Sequence, residues 1–514
     1  MGSRGFAGMV RWYGWRALGG AMNLLDRRLR LVAVIVLFAG AGGGVFLACG
    51  AVSESPSEEA CDAGACDGRA SSEDGSRSGP DAADSAIRDS GSDARVLKNC
   101  DDGGTPGQLD PTFGDGGVVY VDTDPLRGGV NAVVIQPDGK TVLGGYLSGR
   151  LALVRLTVPG TLDTTFGDGG IITVSFSTGN QGAQAVALAA DGRILAAGYV
   201  DVPDAGTDWV AARFTPGGAL DPTFGDGGVT FASFPQPDKG FVASVAVLPD
   251  GHVLVAGDRG KASLPATLET GDWAVVKFKP DGSLEPAFGS SGRVKLDIRS
   301  SYDILGAMAV QPDGKIVLVG SSGRDAGAGP EDVSAARINP DGSLDPSFGA
   351  GGKFWAGLTT PSHAHAVAPD GAGRIILGGY AYAVWADLDF ALFRLTSAGA
   401  VDATFGSGGT VRVDVDGESD TVGGLFIQPD GKYVTAGTSS SPSNPTALLR
   451  VRSDGTLDPE FGVAGRVLGT PVSGFKSVHP RGFAFSRDRA TVGGWWYREP
   501  PFPLYWMGVA RYCL

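Results

Sequence analysis

Basic residues are scarce in this chain of 514 residues, where 42 Lys and Arg stand against 56 Asp and Glu for a net charge of −14. Binding to nucleic acid needs a basic face that displaces counterions from phosphates, so no nucleic acid partner is expected. Charged residues make up only 19% of the chain and apolar residues 42%, which excludes a chain that is disordered throughout.

Sequence motifs of catalysis are also missing. The chain has no nucleophile elbow, no HExxH, no phosphate-binding loop and no Cys–His pair at catalytic spacing. The 83 glycines disfavour a mainly helical protein, because glycine costs roughly 1 kcal/mol against alanine inside a helix. They favour short strands joined by many tight turns.

The N-terminal segment has the pattern of a bacterial export signal. Six arginines precede the uncharged, mostly apolar stretch Leu31–Ala48, which ends at Cys49. The end of this stretch resembles a lipobox, so we predict a signal peptide over 1–48 and lipidation of Cys49, with Met22 as an alternative start. The predicted location is extracytoplasmic, in the cell envelope, either periplasmic or surface-exposed. Secretion without a lipid and a retained membrane helix are the alternatives.

Residues 49–104 are rich in Ser, Asp, Ala and Gly and almost free of large apolar side chains. Such a segment cannot bury enough surface to offset its ordering entropy. We predict a lipid-anchored flexible tether here, followed by one domain over 105–514.

A motif of the form LDxxFGxGG recurs from Leu109 onward with a mean spacing of about 58 residues. The seven copies lie at 109–117, 162–170, 220–228, 284–292, 344–352, 401–409 and 457–465. Between them recur a hairpin, as in 133–146 with its Pro-Asp-Gly-Lys turn, and a further strand, as in 151–156.

Each repeat therefore predicts four short antiparallel strands, and seven such units predict an all-β, seven-bladed β-propeller. A linear solenoid is the alternative. The body begins with a fourth strand at 118–122 and ends with a third strand at 506–511. A closed ring in which the N-terminal strand completes the last blade accounts for both.

These motifs resemble the delta-sixty repeats, a family of secreted bacterial β-propeller repeats without an established function. The resemblance covers about 105–514. It implies the fold and adds nothing about function.

The third strand of each unit carries a cation and the following turn an acid, eight residues later, which predicts a structural ion pair in each blade. The predicted pairs are Arg155/Asp163, Arg213/Asp221, Lys277/Glu285, Arg337/Asp345, Arg394/Asp402, Arg450/Asp458 and, across the closure, Arg511/Asp110. Lys and Glu occur together in one unit, which favours a direct contact. Two independent surface charges are the alternative, and exposed pairs contribute under about 1 kcal/mol.

The chain has five cysteines. With Cys49 lipidated, Cys61 and Cys66 are close enough to form a small loop within the tether, while Cys100 precedes the first strand and Cys513 follows the last. We predict a Cys100–Cys513 disulfide that fastens the ring.

The loops that differ between repeats share one face of the propeller, where a specific surface is expected. Aromatic residues concentrate there, and packing between blades is the alternative to ligand binding. The candidate ligand-binding residues are Tyr380, Tyr382, Trp385, Trp495, Trp496, Tyr497 and Tyr505. His363 and His365 alternate on one strand, but no third metal ligand is indicated.

The sequence therefore favours a binding or scaffold propeller for an unknown protein or glycan, acting as a monomer without cofactor or metal. The alternative is an extracytoplasmic polysaccharide hydrolase or lyase whose site is built from loops on the variable face.

Overall fold

The computed structural model describes most of the region from residue 105 onward. The described residues are 37–40, 44–47, 100, 105–121, 127–176, 181–202, 206–232, 238–261, 271–299, 302–323, 331–358, 360–384, 387–440, 446–469, 477–498 and 504–514. Within the predicted signal peptide, β1 (Leu37–Gly40) and β2 (Gly44–Leu47) pair antiparallel. Among the described residues, no helix is long and apolar enough to cross a membrane.

The first three blades are antiparallel sheets of four strands, preceded in the chain by β3 (Val118–Val121). Blade 1 contains β4 (Gly128–Ile135), β5 (Thr141–Leu147), β6 (Arg150–Leu156) and β7 (Ile171–Val174). Blade 2 contains β8 (Gln181–Leu188), β9 (Ile194–Val202), β10 (Gly206–Phe214) and β11 (Val229–Ala232). Blade 3 contains β12 (Asp238–Val247), β13 (Val253–Lys261), β14 (Gly271–Phe278) and β15 (Arg293–Leu296).

The same order of strands continues through the remaining blades. Blade 4 contains β16 (Asp303–Val310), β17 (Ile316–Ser322), β18 (Asp332–Ile338) and β19 (Lys353–Trp355). Blade 5 contains β20 (Ser362–Pro369), β21 (Ile375–Val384), β22 (Asp387–Leu395) and β23 (Thr410–Val413). Blade 6 contains β24 (Asp420–Ile427), β25 (Tyr433–Ser439), β26 (Thr446–Val451) and β27 (Arg466–Leu468). Blade 7 contains β28 (Ser477–Phe485), β29 (Arg489–Arg498), β30 (Leu504–Cys513) and β3.

The prediction of an all-β, seven-bladed propeller is therefore confirmed. In the seventh blade, β3 pairs antiparallel with β30, and Val118 lies opposite Ala510. The inner strands β28 and β4 of the seventh and first blades are also in contact. Cys100 and Cys513 form a disulfide with their Cα atoms 5.3 Å apart. The other cysteines of the sequence analysis, Cys49, Cys61 and Cys66, lie outside the described residues.

The core lies between neighbouring blades. One face of each sheet packs against the preceding blade, and the other face packs against the following blade. Strands near the middle of a blade are buried along almost their whole length, as in β18, whereas the outer strand β15 alternates between buried and more exposed side chains. The phenylalanine of every copy of the repeated motif is at most 1% exposed, so each is a core residue. These residues are Phe113, Phe166, Phe224, Phe288, Phe348, Phe405 and Phe461.

The glycines of this motif are required by the backbone. Gly116 and Gly117 have φ values of 59° and 100°, in the region that favours glycine. Ser291 and Ala464 occupy the position of Gly116 in their own repeats and adopt the same conformation, each with φ of 53°. Two repeats therefore carry local backbone strain at this turn.

Candidate functional site

The strand order separates the repeated turns from the variable connections. The hairpin turn 136–140 and the motif 157–170 of blade 1 lie at one end of the strands, which we call the turn face. The connection 148–149 and residues 175–176 after β7 lie at the opposite end, which we call the variable face. The same arrangement holds in the described part of every blade. The turn face therefore carries the repeated motifs, and the variable face carries the connections that differ between blades.

On the turn face, the predicted arginine of the third strand holds three groups together. In blade 2, Arg213 Nε lies 2.8 Å from Asp221 Oδ2, and the guanidinium carbon lies 4.6 Å from the centre of the Phe224 ring. Its Nη1 donates to the carbonyl oxygen of Pro280 in the next blade at 2.6 Å. Each cluster therefore joins an acid, a core aromatic ring and a neighbouring blade.

Six of the seven predicted pairs form this arginine–aspartate ion pair. Their Nε–Oδ2 distances are 2.8 Å for Arg155–Asp163, 2.8 Å for Arg213–Asp221, 2.7 Å for Arg337–Asp345, 2.7 Å for Arg394–Asp402, 2.7 Å for Arg450–Asp458 and 2.8 Å for Arg511–Asp110. All six arginines and their acids are buried, so the clusters stabilise the blades and offer little surface to a ligand.

The pair in blade 3 is the exception, and this prediction is wrong. Glu285 Oε2 lies 3.2 Å from His252 Nε2, and Lys277 forms no ion pair with it. Lys277 Nζ instead donates to the carbonyl oxygen of Pro340 at 3.4 Å. Lysine has one charged nitrogen and not a planar fork, so it reaches the neighbouring blade or the acid but not both.

A second cation binds most of these acids, and the sequence analysis missed it. Lys140 Nζ lies 3.1 Å from Asp163, and Arg489 Nε lies 3.0 Å from Asp110. The hydroxyl of Thr165 donates to Asp163 Oδ1 at 2.6 Å and, with Lys140, holds the pKa of Asp163 well below its usual value. The signal was present, because the residue after each hairpin turn is basic. These residues are Lys140, Arg193, His252, Lys315, Arg374, Lys432 and Arg489.

On the variable face, the candidate ligand-binding residues fall on two blades that are not neighbours. In blade 5, the rings of Tyr380 and Tyr382 are 6.0 Å apart, and Tyr380 stacks on His363 at 5.9 Å. His363 and His365 have ring centres 4.2 Å apart and are both buried. Burial raises the pKa of the Tyr380 hydroxyl above its ordinary value. This group is a packed cluster with the two tyrosines half-buried at its edge.

In blade 7, only part of the predicted aromatic group is accessible. Trp495 is half-buried and stacks on His479 with ring centres 3.6 Å apart. Trp496 is 2% exposed, and its indole lies against the backbone of Gly508, so this residue is packed inside the protein. Successive side chains of a strand point to opposite faces, which explains why only one of the two tryptophans is accessible.

The remaining candidate residues add little to this picture. Tyr497 is half-buried and lies opposite Tyr505 in the ladder between β29 and β30. Trp385 lies outside the described residues. The aromatic concentration of the sequence is therefore not one continuous binding surface among the residues that the structure describes.

A cavity that the sequence analysis missed lies between blades 1 and 2 on the variable face. Its volume is about 570 Å³. Two half-buried tyrosines, Tyr146 and Tyr199, take part in its wall, and Tyr199 also packs edge-on against Phe241 at 5.3 Å. The lining residues are Arg127, Asn131, Tyr146, Ser148, Gly149, Gln181, Gly182, Gln184 and Tyr199. The described part of the wall is thus aromatic and polar, with one cation and no carboxylate.

Two of the polar groups come from irregularities in the innermost strands. The pairing of β4 with β5 shifts between Val130 and Ala132, which leaves Asn131 as an extra residue, and Gln184 occupies the same position in β8. Asn131 Nδ2 donates to the carbonyl oxygen of Ala183 in the next blade at 3.0 Å. The corresponding residues of the other blades differ, being Ala243, Gly306, His365, Gly423 and Arg481. The bulge is structural, whereas its side chain is free to vary.

The fold and repeats define the class of protein as a repeat β-propeller. Six segments match the family model described as "Domain of unknown function (DUF5122) beta-propeller", and each runs from a hairpin turn to the phenylalanine of the next FG motif. The matched residues are 136–166, 189–224, 248–288, 311–348, 373–405 and 428–461. The chain therefore carries repeats of this β-propeller type. No curated protein matches it.

Solved structures that resemble this chain are distant. They include a protein of unknown function from Dyadobacter fermentans, with 11% identity and a TM-score of 0.41 over 77% of this chain and 100% of that chain. The polysaccharide lyase Uly1 has 11% identity and a TM-score of 0.46 over 79% of this chain and 92% of that chain. A glucose dehydrogenase has 17% identity and a TM-score of 0.36 over 65% of this chain and 99% of that chain. At these values the likenesses assign no activity to this chain.

Proposed function

We propose that this protein is an extracytoplasmic lipoprotein whose propeller binds a saccharide in the cavity between blades 1 and 2. The observation that carries the proposal is the composition of that cavity. Two tyrosine rings offer apolar faces beside hydroxyl groups, and Asn131 and Gln184 carry amide groups nearby. Saccharides combine apolar ring faces with many hydroxyls, so this mixture of side chains is suited to them.

The size of the cavity supports the same ligand class. At about 570 Å³ it falls within the range of roughly 300–1,000 Å³ typical of small-molecule sites. Arg127 is exposed at the cavity and is able to pair with an acidic substituent of the ligand. The ring of Tyr146 lies against the backbone of Gly129 in the same blade, which limits how far that ring moves.

Binding is favoured over hydrolysis because of the groups that line the cavity. Glycoside hydrolysis ordinarily needs two carboxyl groups flanking the scissile bond. Among the described residues that line the cavity, none carries a carboxyl group. None of these residues therefore supplies the acid or base of a hydrolase, whereas recognition needs neither.

The proposal is tested with a glycan array probed by the purified protein, followed by calorimetry on the saccharides retained. Tyr146→Ala and Tyr199→Ala are each expected to weaken binding at least tenfold, because truncating a central aromatic contact commonly costs more than about 1.4 kcal/mol. Tyr382→Ala is the matched control, since Tyr382 is a half-buried tyrosine on blade 5 outside the cavity. Equal affinity of all variants, binding of peptides alone, or release of new reducing ends from the glycan contradicts the proposal.

The lipid anchor is tested separately through Cys49. The protein expressed in a bacterial host is expected to partition into detergent and to incorporate a labelled fatty acid, and Cys49→Ser is expected to abolish both. Cys61→Ser is the control, because Cys61 lies in the predicted tether. Unchanged labelling of the Cys49→Ser variant contradicts the anchor while leaving the saccharide site untouched.

A further inference from the structure

Three carboxylates meet on the variable face where blade 3 joins blade 4. Asp272 lies in β14, Asp297 follows β15, and Asp303 begins β16. One carboxylate oxygen from each lies within 4.8 Å of the other two. This is the separation expected of oxygens that share one calcium ion, because calcium–oxygen distances are about 2.3–2.6 Å.

A second observation concerns the innermost of the three residues. Asp303 is 0% exposed, and its Oδ2 accepts a hydrogen bond from the backbone N–H of Ile298 at 2.6 Å. Its Oδ1 is buried without a hydrogen-bond partner. A buried carboxylate oxygen without a partner is costly, and a bound cation removes that cost. Burial, with the nearby charges of Asp297 and Asp272, raises the pKa of Asp303 to about 7.

Two lysines border the cluster without neutralising Asp303. Lys295 Nζ lies 2.8 Å from Asp272 Oδ2, and Lys353 Nζ donates to the backbone carbonyl oxygen of Asp297 at 2.6 Å. Lys295 is half exposed and its side chain is long, so it is able to turn away to solvent when a cation takes its place.

Blade 6 offers a natural comparison at the same position of its first strand. Asp420 is also fully buried, its Oδ2 accepts from the N–H of Val415 at 2.8 Å, and its pKa is also raised to about 7 by burial. The neighbouring carboxylates bind other groups, however: Asp414 accepts from the N–H of Gly417 at 2.6 Å. Among the described residues, only the cluster at blades 3 and 4 gathers three acidic side chains at metal-binding distance.

We propose that Asp272, Asp297 and Asp303 bind a calcium ion that ties the end of blade 3 to the start of blade 4. The three residues supply a hard, all-oxygen, anionic set of ligands, which suits calcium, and water completes the six to eight positions that this ion takes. Magnesium is less suited, because it demands near-ideal octahedral geometry and loses water reluctantly. The site is separate from the saccharide cavity of blades 1 and 2.

The proposal is tested on the full chain by calorimetry with calcium and by terbium luminescence excited through tryptophan, since Trp273 adjoins Asp272 in the sequence. The wild-type protein is expected to bind one calcium ion that Asp303→Asn and Asp272→Asn weaken at least tenfold. Asp420→Asn is the matched control and is expected to bind calcium like the wild type. Calcium is also expected to raise the thermal unfolding midpoint of the wild type and of Asp420→Asn but not of Asp303→Asn.

Three results overturn the proposal. The first is calcium binding that Asp303→Asn and Asp420→Asn reduce equally, because the ion is then held by the overall negative charge of the protein and not by this cluster. The second is the absence of saturable binding in a wild-type protein shown to be folded by circular dichroism. The third is tighter binding of magnesium than of calcium, which contradicts the choice of ion. None of these results depends on saccharide binding.

Discussion

Replacing Arg394 by lysine tests whether the cluster on the turn face stabilises the propeller through its planar fork or through its charge. In blade 5, Arg394 is 2% exposed, and its Nε lies 2.7 Å from Asp402 Oδ2. Its Nη2 donates to the hydroxyl of Thr404 at 3.0 Å, its Nη1 donates to the carbonyl oxygen of Ser453 in blade 6, and its guanidinium lies 4.5 Å from the centre of the Phe405 ring.

Blade 3 shows what a lysine does in this position. Lys277 keeps a 3.4 Å contact with the neighbouring carbonyl of Pro340 and lies 5.7 Å from the centre of the Phe288 ring, but it leaves its acid to His252. Arg394→Lys is therefore expected to lose the bonds to Asp402 and Thr404. Hydrogen bonds to charged groups contribute about 1.5–3 kcal/mol each, and Thr404 still donates to Asp402. We expect the free energy of unfolding to fall by about 2–4 kcal/mol.

The assay is urea unfolding of the purified protein, followed by tryptophan fluorescence and circular dichroism. Arg487→Lys is the control, because Arg487 is exposed in the hairpin turn between β28 and β29 of blade 7. This control is expected to change the free energy of unfolding by less than about 1 kcal/mol. A loss for Arg394→Lys no larger than that of the control refutes the argument, since charge alone then accounts for the cluster.

Three further predictions concern stability. Ala464→Gly is expected to raise the free energy of unfolding by about 0.5–1 kcal/mol, because glycine adopts a φ of 53° without strain. Urea unfolding measures this change, and a variant no more stable than the wild type contradicts the strain. Replacing both Cys100 and Cys513 by serine is expected to lower the free energy of unfolding by roughly 4–6 kcal/mol, since a long loop is no longer closed. Equal urea midpoints of the wild-type protein with and without reductant contradict this expectation. The pKa of Asp163 is lowered by folding, so its contribution is present above about pH 4 and is lost as the pH falls. Unfolding titrations from pH 7 to about 2 are expected to show a smaller loss of stability for Asp163→Asn than for the wild type, and parallel curves refute this.

The fold was predictable because the same local chemistry occurs seven times. The glycine conformation needed at Gly116 and Gly117 and the eight-residue spacing of Arg155 and Asp163 are both local. Each recurs in the same register, so one copy supports the others. The number of strands and the order of the blades follow from these local signals.

The candidate site was harder to predict, because it depends on contacts between blades. Tyr146 and Tyr199 are separated by about 50 residues and meet only when blades 1 and 2 pack together. The joint occurrence of Lys277 and Glu285 in one repeat favours a direct contact, yet each residue binds another partner. Covariation between two residues does not show that they touch when a third residue, here His252, is within reach of one of them.

The junction of β3 with β30 makes the order of synthesis matter. The strand Val118–Val121 leaves the ribosome almost 400 residues before its partner Leu504–Cys513. Blade 7 is thus the last to be assembled, and until then the chain is an open arc with an unpaired edge at each end. A chain cut short before β30 leaves both edges exposed, so these are the sites at which we expect incomplete chains to associate or to be degraded.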